Sequence, residues 1–325
     1  MALTLADVSA TMSDKVAQEV IDEFRRNSFL LDNLIFDDAV SPGTGGSTLT
    51  YGYTQLSTPS TAAFREINSE YVSNEAKKVK KTCDLKIFGG SASIDRVLQK
   101  ASGEREIEFQ LQEKIKATSN LFNYAAINGG NSADVKEFDG LSKLLKGKST
   151  EYNTGNSAKI IDLSNTTALD TNHKYFIDMM NEFLGGLDGK PTIIASNSIM
   201  IARLKSIAFR AGYLTKAEDS FGKAVQGYDD IIFVDLGKYT NGTKTENVVP
   251  IYDSGENTGL TDLYTMKLGL DGFHGVSLNG GNIIDTYLPD LSAPGAVKQA
   301  EVEMVAAVAL KNTTKAGVFR NIKVS

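Results

Sequence analysis

The sequence is poor in the residues that most catalytic and metal sites use. Its 325 residues include one cysteine, Cys83, and two histidines, His173 and His274. A single cysteine cannot form an intrachain disulfide or a cysteine-based metal site, and this usage suits a reducing compartment. We expect His173 beside a helix cap and His274 in a turn, both in structural roles. The sequence therefore predicts no metal site, no bound cofactor and no catalytic histidine.

Long apolar runs and a basic charge balance are also missing. No stretch approaches the ~20 apolar residues that a membrane-spanning helix requires, and residues 1–7 lack the features of a signal peptide. The formal net charge is −6, whereas a protein that coats itself in nucleic acid is normally basic. We expect a soluble cytoplasmic protein with no membrane partner. An acidic balance still allows a container whose inner wall faces nucleic acid.

Three short motifs resemble functional loops but are incomplete. Residues 147–149 read Gly-Lys-Ser, yet Ser142 stands where a phosphate-binding loop has its first glycine. Residues 43–46 fail the dinucleotide-binding pattern because Thr48 replaces a required glycine. Residues 89–93 lack the glycine that follows the serine of a nucleophile elbow. We interpret all three as ordinary loop or strand segments.

Hydrophobic periodicity predicts an α+β protein with one long helix at residues 103–128. Ser102 is its expected N-cap, and Gly129-Gly130 ends it. Apolar residues recur at spacings of three and four, so they form one stripe that we expect to lie on a sheet. The stripe consists of Ile107, Leu111, Ile115, Thr118, Phe122 and Ala125.

The second half of the chain alternates between helices and strands. A helix is expected after Asn172, a buried strand at residues 192–195, a helix capped by Asn197, and a second buried strand at residues 231–234. Alternation over residues 302–310 predicts a long strand, and residues 318–324 are expected to pair back with it as a hairpin. The helix face after Asn172 carries Tyr175, Phe176, Met179, Met180 and Phe183.

The first third of the chain predicts a short helix and a long projecting hairpin. The helix carries Val16, Val20 and Phe24 on one face. Residues 47–53 alternate as a strand, and a second strand follows in which Cys83, Leu85 and Ile87 share a face. The excursion between them is polar, so too little apolar area is buried per ordered residue for the hairpin to be stable alone. We expect it to lie on a neighbouring subunit.

These segments occur in an order that resembles the Hong Kong 97-type capsid fold of tailed-phage major capsid proteins. An N-terminal arm, a projecting hairpin and a long helix ending in Asn-Gly-Gly are followed by Phe-Asp-Gly-Leu at residues 138–141. Residues 193–198, the glycine-led segment 222–235 and the closing residues 316–320 are also similar to that family. The resemblance covers nearly the whole chain.

The resemblance implies a domain plan. Residues 1–45 would form the N-terminal arm and residues 46–75 an extended loop that reaches over a neighbour. A peripheral domain would comprise residues 76–145, with the spine helix, and residues 286–325, with the C-terminal strands. Residues 146–285 would form an axial domain at the five- and six-fold centres.

The function that the resemblance implies is structural, not enzymatic. The chain would form pentamers and hexamers of an icosahedral phage head, a virion capsid assembled in the host bacterial cytoplasm around double-stranded DNA, without sequence-specific binding. No long charged segment precedes the arm, so we expect a separate scaffolding protein beside the portal, and a decoration protein fits the same plan. Residues 46–72 contain no lysine, which argues against the covalent cross-linking of some relatives.

We expect arm and loop residues to form the interface between subunits. The basic run Lys77, Lys78, Lys80 and Lys81 fits a salt-bridging face better than a nucleic-acid contact. The predicted interface residues are Leu30, Leu31, Tyr51, Tyr53, Phe64, Arg65, Glu66, Lys77 and Lys78.

Two alternatives remain open at this point. An encapsulin, the shell protein of a bacterial nanocompartment, shares the same fold, and gene neighbours would separate the two functions. An enzyme of unknown mechanism in residues 172–235 is less favoured, because that unit lacks a convergent set of acid, base and nucleophile.

Overall fold

Six α-helices and eighteen strands make up the part of the chain that the computed structural model describes. The described residues are 29–37, 49–101, 106–130, 136–155, 158–212, 215–218, 224–242, 244–278, 283–290 and 292–325. No helix within these ranges is long and apolar enough to cross a membrane. The helix expected around residues 16–24 lies outside them.

The helices and strands are numbered in chain order. The helices are α1 (Phe29–Asn33), α2 (Arg96–Ala101), α3 (Glu106–Asn128), α4 (Leu141–Leu145), α5 (Thr166–Gly185) and α6 (Ser198–Ala211). The strands are β1 (Phe36–Asp37), β2 (Thr50–Thr58), β3 (Lys77–Asp84), β4 (Lys86–Asp95), β5 (Glu151–Tyr152), β6 (Ile161–Asp162), β7 (Ile193–Ser196), β8 (Thr215–Glu218), β9 (Ala224–Tyr228), β10 (Ile231–Asp235), β11 (Lys238–Asn241), β12 (Lys244–Asn247), β13 (Ile251–Ser254), β14 (Asn257–Met266), β15 (Phe273–Ser277), β16 (Ile284–Tyr287), β17 (Val297–Leu310) and β18 (Ala316–Lys323).

The first sheet is built around β17, whose 14 residues pair with strands on both edges. One edge pairs antiparallel with β4 over ten residues. The other edge is shared by β16 and β15, and β1 extends the sheet by pairing parallel with β15. Because side chains alternate along a strand, Val302 and Met304 face the core while Gln299 and Glu301 face solvent.

Helix α3 covers the buried face of this sheet and confirms the predicted long helix. Its contacts are with β4 and β17. Phe122 is fully buried, and its ring centroid lies 5.8 Å from those of Phe36 and Phe138. The first three members of the predicted stripe are only half-buried, so the stripe is fully covered in its C-terminal half alone. The expected cap, Ser102, lies outside the described residues.

The second sheet has nine strands in the order β5, β18, β14, β7, β10, β9, β8, with β13 also on β14 and β6 also on β18. Helices α5 and α6 cover one face, where Phe176, Phe183 and Leu204 pack with Phe319 of β18. The other face, which includes Tyr264, joins the apolar core of the first sheet. The two sheets therefore share one continuous core.

The predicted order of helices and strands in this half is confirmed, with one boundary shifted. Asn197 caps α6 and accepts a 3.0 Å hydrogen bond from a backbone N–H of the first turn. Helix α5 begins at Thr166, upstream of the predicted start after Asn172. Its cap is Asn165, whose side chain accepts from the Ala168 N–H at 2.9 Å. His173 therefore lies inside the helix and not beside its cap.

The terminal strand does not return as a hairpin, so that prediction is wrong. β18 pairs antiparallel with β14 and parallel with β5 and β6. A 3-10 turn, Thr313–Lys315, leads the chain from the first sheet to the second. The first four residues of β18 are all buried, which requires packing on both faces of the strand. A two-stranded hairpin with one covered face does not provide it.

The sheets also divide the chain differently from the segments expected above. β15 lies in the first sheet although it falls within residues 146–285, and β18 lies in the second although it falls within residues 286–325. The limits of the peripheral and axial domains remain a prediction.

Two side chains near the hairpin are placed differently from their prediction. His274 lies on strand β15 and is fully buried, not in a turn. Ile87 is 60% exposed, whereas Leu85 is 4% exposed, although Ile87 was expected to share a face with Cys83 and Leu85. The chain changes partner at Leu85, from β2 to β17, so the alternation set by one partner does not continue along the other.

Three asparagines of α3 connect the two sheets. Each donates a side-chain N–H to a backbone oxygen of the segment that follows β10: Asn120 to Lys238 at 2.9 Å, Asn123 to Leu236 at 3.1 Å and Asn128 to Val248 at 2.6 Å. Asn123 also accepts from the Leu30 N–H at 3.3 Å. Asn120 and Asn123 are buried. By sequence alone these three asparagines would fit a solvent-facing surface of the helix. In the structure they form hydrogen bonds between α3 and the segment that follows β10.

An ion network around Arg320 fixes the edge of the second sheet. Its guanidinium lies 2.5 Å from Glu151 Oε1 and 2.7 Å from Asp262 Oδ2, and the Tyr252 hydroxyl donates to Asp262 at 2.8 Å. Burial works against the charge on Arg320, but the two carboxylates prevail and raise its pKa above the ordinary value. The network ties β18 to β5, β13 and β14.

Replacing Asn123 by alanine should destabilise the fold. The change leaves the Leu30 N–H and the Leu236 carbonyl without their partner, and a buried polar group left unpaired costs ~1–3 kcal/mol. Urea denaturation followed by circular dichroism measures the free energy of unfolding. Asn257, whose side chain is exposed, is the control, and Asn257→Ala should cost less than ~0.5 kcal/mol. An equal loss of the free energy of unfolding in the two variants would contradict the structural role of the Asn123 hydrogen bonds.

Candidate assembly surface

Strands β2 and β3 form an antiparallel hairpin that stands apart from both sheets. Their register runs from Thr50↔Asp84 to Thr58↔Lys77, with an irregularity between Leu56 and Thr58. Every residue from 57 to 76 is exposed. A two-stranded ribbon of this kind gains little stability from its own burial.

The hairpin has two unlike faces, because residues opposite each other in an antiparallel pair lie on the same side. One face carries Tyr51, Tyr53 and Cys83 and turns toward the end of β17. The opposite face carries Leu56, which is 57% exposed, opposite Lys78. The first face anchors the hairpin to its own chain, and the second is open to a partner.

Four side chains anchor the base of the hairpin, which we call the hairpin root. Each bonds to a residue of the first sheet or its edge: Tyr51 Oη donates to Asp37 Oδ2 at 2.7 Å, Tyr53 Oη to Leu310 O at 3.1 Å, Gln55 Nε2 to Lys311 O at 3.1 Å and Cys83 Sγ to Val308 O at 3.2 Å. Burial raises the pKa of the Cys83 thiol to about 12, so the thiol stays protonated and serves as a donor. These bonds set the direction in which the hairpin projects.

The hairpin tip carries four large apolar side chains that the chain itself leaves uncovered. Their exposed fractions are 106% for Phe64, 91% for Ile67, 66% for Tyr71 and 90% for Val72. Single exposed apolar residues are common on protein surfaces, but a group of four in nine consecutive residues is a mark of an interaction surface.

The tip backbone is shaped by local bonds rather than by a core. The Ser69 N–H and hydroxyl both donate to Glu66 O, at 3.2 and 2.9 Å, and close a turn at Asn68, where φ is 70°. Arg65 donates to backbone oxygens of the same turn, and its guanidinium lies 5.3 Å from the centre of the Tyr71 ring. The turn therefore has a defined shape without burying the apolar side chains beside it.

The predicted interface residues fall into two groups. Leu30 is fully buried and Leu31 partly buried in the chain's own core, and Tyr51 and Tyr53 belong to the hairpin root. The second group is exposed in the single chain and is therefore available to contact another subunit. It consists of Phe64, Arg65, Glu66, Lys77 and Lys78. The interface between subunits stays a prediction, and its exposed members lie at the tip of the hairpin and at the start of β3.

The predicted interface residues do not include Ile67, Tyr71 and Val72, which share the exposed tip with Phe64. Their signal was available, since large apolar residues concentrate between positions 64 and 72 of an otherwise polar segment. They have no helical or strand periodicity, so the apolar spacings that locate helices and strands do not mark them.

The other candidate residues do not converge on a chemical site. His173 bonds through Nδ1 to backbone oxygens of its own helix. Residues 147–149 form an exposed loop, and residues 89–93 lie within β4. Among the described residues, no group of three or more His, Cys, Asp or Glu side chains is placed to hold a metal ion.

Comparison with solved structures gives matches that cover nearly the whole chain at low sequence identity. No protein-family model matches the sequence, and a search of curated proteins finds no relative. The SrpI encapsulin of Synechococcus elongatus PCC 7942 matches with a TM-score of 0.66 at 15% identity, covering 99% of this chain and 98% of that one. A chain of Mycobacterium phage Bobi matches with a TM-score of 0.61 at 11% identity, covering 100% and 99%. The capsid of Myoviridae phage XM1 matches with a TM-score of 0.57 at 10% identity, covering 94% and 96%.

The chain has the Hong Kong 97-type capsid fold. The fold prediction is confirmed over the whole length, since the matched chains are also covered almost completely. Identities of this size show the fold alone. Helix α3 is the long helix that was predicted as the spine helix, and the hairpin of β2 and β3 includes most of the segment predicted as the extended loop; their roles in the domain plan stay a prediction.

Shortening the hairpin tip should leave the folded subunit intact. Replacing residues 59–76 by a short Gly-Ser linker removes no buried side chain, so the free energy of unfolding should change by less than ~0.5 kcal/mol. Leu85→Ala, at a residue only 4% exposed, is the comparison and should cost ~2–5 kcal/mol. Loss of the cooperative transition in the shortened protein would place the tip in the core.

Proposed function

We propose that the chain is the structural subunit of an icosahedral phage head, which self-assembles into pentamers and hexamers around double-stranded DNA. One observation carries the proposal: a hairpin anchored firmly at its root presents an uncovered apolar tip, on a chain that has a capsid fold. The role is structural, and we assign no enzymatic activity.

The tip supplies the driving force for contact between subunits. Fully burying a large apolar side chain contributes ~1.5–3 kcal/mol, and Phe64, Ile67 and Val72 are each at least 90% exposed in the isolated chain. In a closed shell every copy both donates a tip and accepts one, so a modest gain per contact is repeated over the whole surface. The lysines of β3 add charge complementarity, which sets register more than affinity.

The two sheets give a physical basis for the domain plan. We propose that the first sheet with α3 forms the peripheral domain and that the second sheet with α5 and α6 forms the axial domain. In this plan the arm of residues 1–45 and the extended loop of residues 46–75 contact neighbouring subunits through the parts that do not pack on their own chain, since Phe29–Asn33, Phe36–Asp37 and Tyr51 belong to its own core or first sheet. The expected partners are a scaffolding protein, a portal and a decoration protein, and assembly would take place in the cytoplasm of the bacterial host.

An encapsulin-type shell is the second candidate, and one observation favours it. The SrpI encapsulin matches with a TM-score of 0.66 and near-complete coverage of both chains. The shell contents separate the two functions. A phage head requires a scaffold for closed particles and takes up DNA, whereas an encapsulin closes alone around a cargo protein.

Polar substitution of the tip should block assembly without unfolding the subunit. Phe64→Ser combined with Ile67→Ser removes apolar area that no intrachain contact uses, so assembly should be lost while the melting temperature is unchanged. Light scattering and electron microscopy of protein co-expressed with its scaffold provide the measurement. Phe209→Ser, at a phenylalanine 77% exposed on α6, is the control and should still assemble. A wild-type protein that remains monomeric under all these conditions would overturn the proposed function itself.

Contact with packaged DNA should be weak. Each copy has a formal net charge of −6, and charges beyond a Debye length of ~8 Å are screened at physiological salt. The purified protein should therefore show little retention on a DNA column at that ionic strength. Tight, salt-sensitive retention that disappears when Lys77, Lys78, Lys80 and Lys81 are changed to alanine would instead assign the basic run to DNA binding.

A further inference from the structure

A buried histidine lies directly beneath the hairpin root. His274 of β15 is fully buried, and its ring meets the ring of Tyr51 edge-on, with centroids 5.9 Å apart. Its Nδ1 lies 3.3 Å from the Gly272 carbonyl oxygen, so Nδ1 is the protonated nitrogen of the neutral ring. Within the described part of the chain, Nε2 is buried without a hydrogen-bond partner.

Four titratable groups lie around this ring among the described residues, and they are Asp37, Tyr51, Cys83 and Lys311. Asp37 of β1 accepts from the Tyr51 hydroxyl at 2.7 Å and lies 3.5 Å from the Lys311 ammonium. Lys311, which follows β17, also lies 5.5 Å from the centre of the Tyr51 ring. Cys83 of β3 bonds to a backbone oxygen. Among the described residues, the charges that act on this ring are the Lys311 ammonium and the Asp37 carboxylate, and Asp37 Oδ2 contacts both Tyr51 and Lys311.

We propose that His274 is a proton-sensitive latch, which holds the hairpin root closed while the imidazole is neutral and releases it when the imidazole is protonated. The latch is a property of the single subunit and does not depend on shell formation. Its failure would leave the proposed function standing, and failure of assembly would leave the latch testable.

The geometry gives the physical reason. Protonation adds an Nε2–H donor where the described residues offer no acceptor, and it adds a second cation beside Lys311. Asp37 Oδ2, which accepts from the Tyr51 hydroxyl, would be drawn toward the new charge, and that movement weakens one of the four root bonds. The alternative is that the root opens and water reaches the ring. Both outcomes loosen the hairpin, because an unpaired buried donor or cation is costly.

The direction of the pH dependence follows from the burial. Burial lowers the pKa of His274 in the closed root, whereas in the open root the imidazole has its ordinary pKa of ~6.5. The open state therefore binds more protons, so the closed root has its full stability above pH ~6.5 and loses stability as the pH falls below it. At pH 5.5 the opening equilibrium should rise by up to about tenfold relative to pH 7.5.

Amide hydrogen exchange measures this opening. The rates for residues 50–58 and 77–84 are compared at pH 7.5 and 5.5 after correction for intrinsic exchange, with amides of β14 as an internal reference. We expect acceleration of up to about tenfold in the hairpin and little change in β14. Acceleration that begins near pH 4, as expected for a carboxylate such as Asp37, or no acceleration at all would overturn the proposal.

Substitutions assign the effect to one histidine. His274→Gln cannot be protonated in this range, so its hairpin should exchange equally at both pH values, whereas His173→Gln should keep the wild-type response. A His274→Gln protein that still responds to acid contradicts the latch. Where that variant does not fold, the onset of the wild-type response near pH 6.5 in the His173→Gln background, in which His274 is the remaining histidine, decides the question.

Discussion

Pairing on both edges of β17 is the constraint on which the rest of the structure depends. Its 14 residues hold β4 along one edge and β15 with β16 along the other. This arrangement fixes the plane on which α3 lies and places the carbonyls of Val308 and Leu310 where the hairpin root binds them. A shift of one residue in this ladder would turn the buried side chains of β17 to solvent, so core packing and the direction of the hairpin are set together.

The second sheet is held to this frame by polar contacts within an apolar core. Tyr264 and Val318 extend the shared core across the junction, but apolar packing alone allows two layers to slide or rotate. Asn120, Asn123 and Asn128 remove that freedom, because each satisfies a specific backbone oxygen. Buried hydrogen bonds add modest net stability but are costly to leave unmade. They therefore act mainly on the specificity of the arrangement.

The hairpin is held at its root by hydrogen bonds to the chain's own residues, and its tip leaves large apolar side chains exposed. Root side chains bond to first-sheet atoms, whereas the tip holds its turn by local bonds and leaves its apolar side chains in water. Such a segment is complete only in contact with another surface, which is the physical basis of the proposed role in a shell. The same division explains why His274 matters, because it lies against the root and a change there acts on the whole projecting segment.

The sequence by itself determined the local elements, because their signals are local. Periodicity located α3 and β17, and Asn197 marked the start of α6 through its cap. The tertiary structure alone decided which strands pair. By sequence, β18 fits a hairpin partner of β17 equally well, but in the structure it is buried on both faces and pairs with β14 in the second sheet. The tertiary structure also decided which of the predicted interface residues are exposed and which are buried in the chain's own core. Tyr51 and Phe64 are both predicted interface aromatics of a polar hairpin, but Tyr51 contacts Asp37 and His274 of the first sheet and is buried, whereas Phe64 lies at the tip and is exposed.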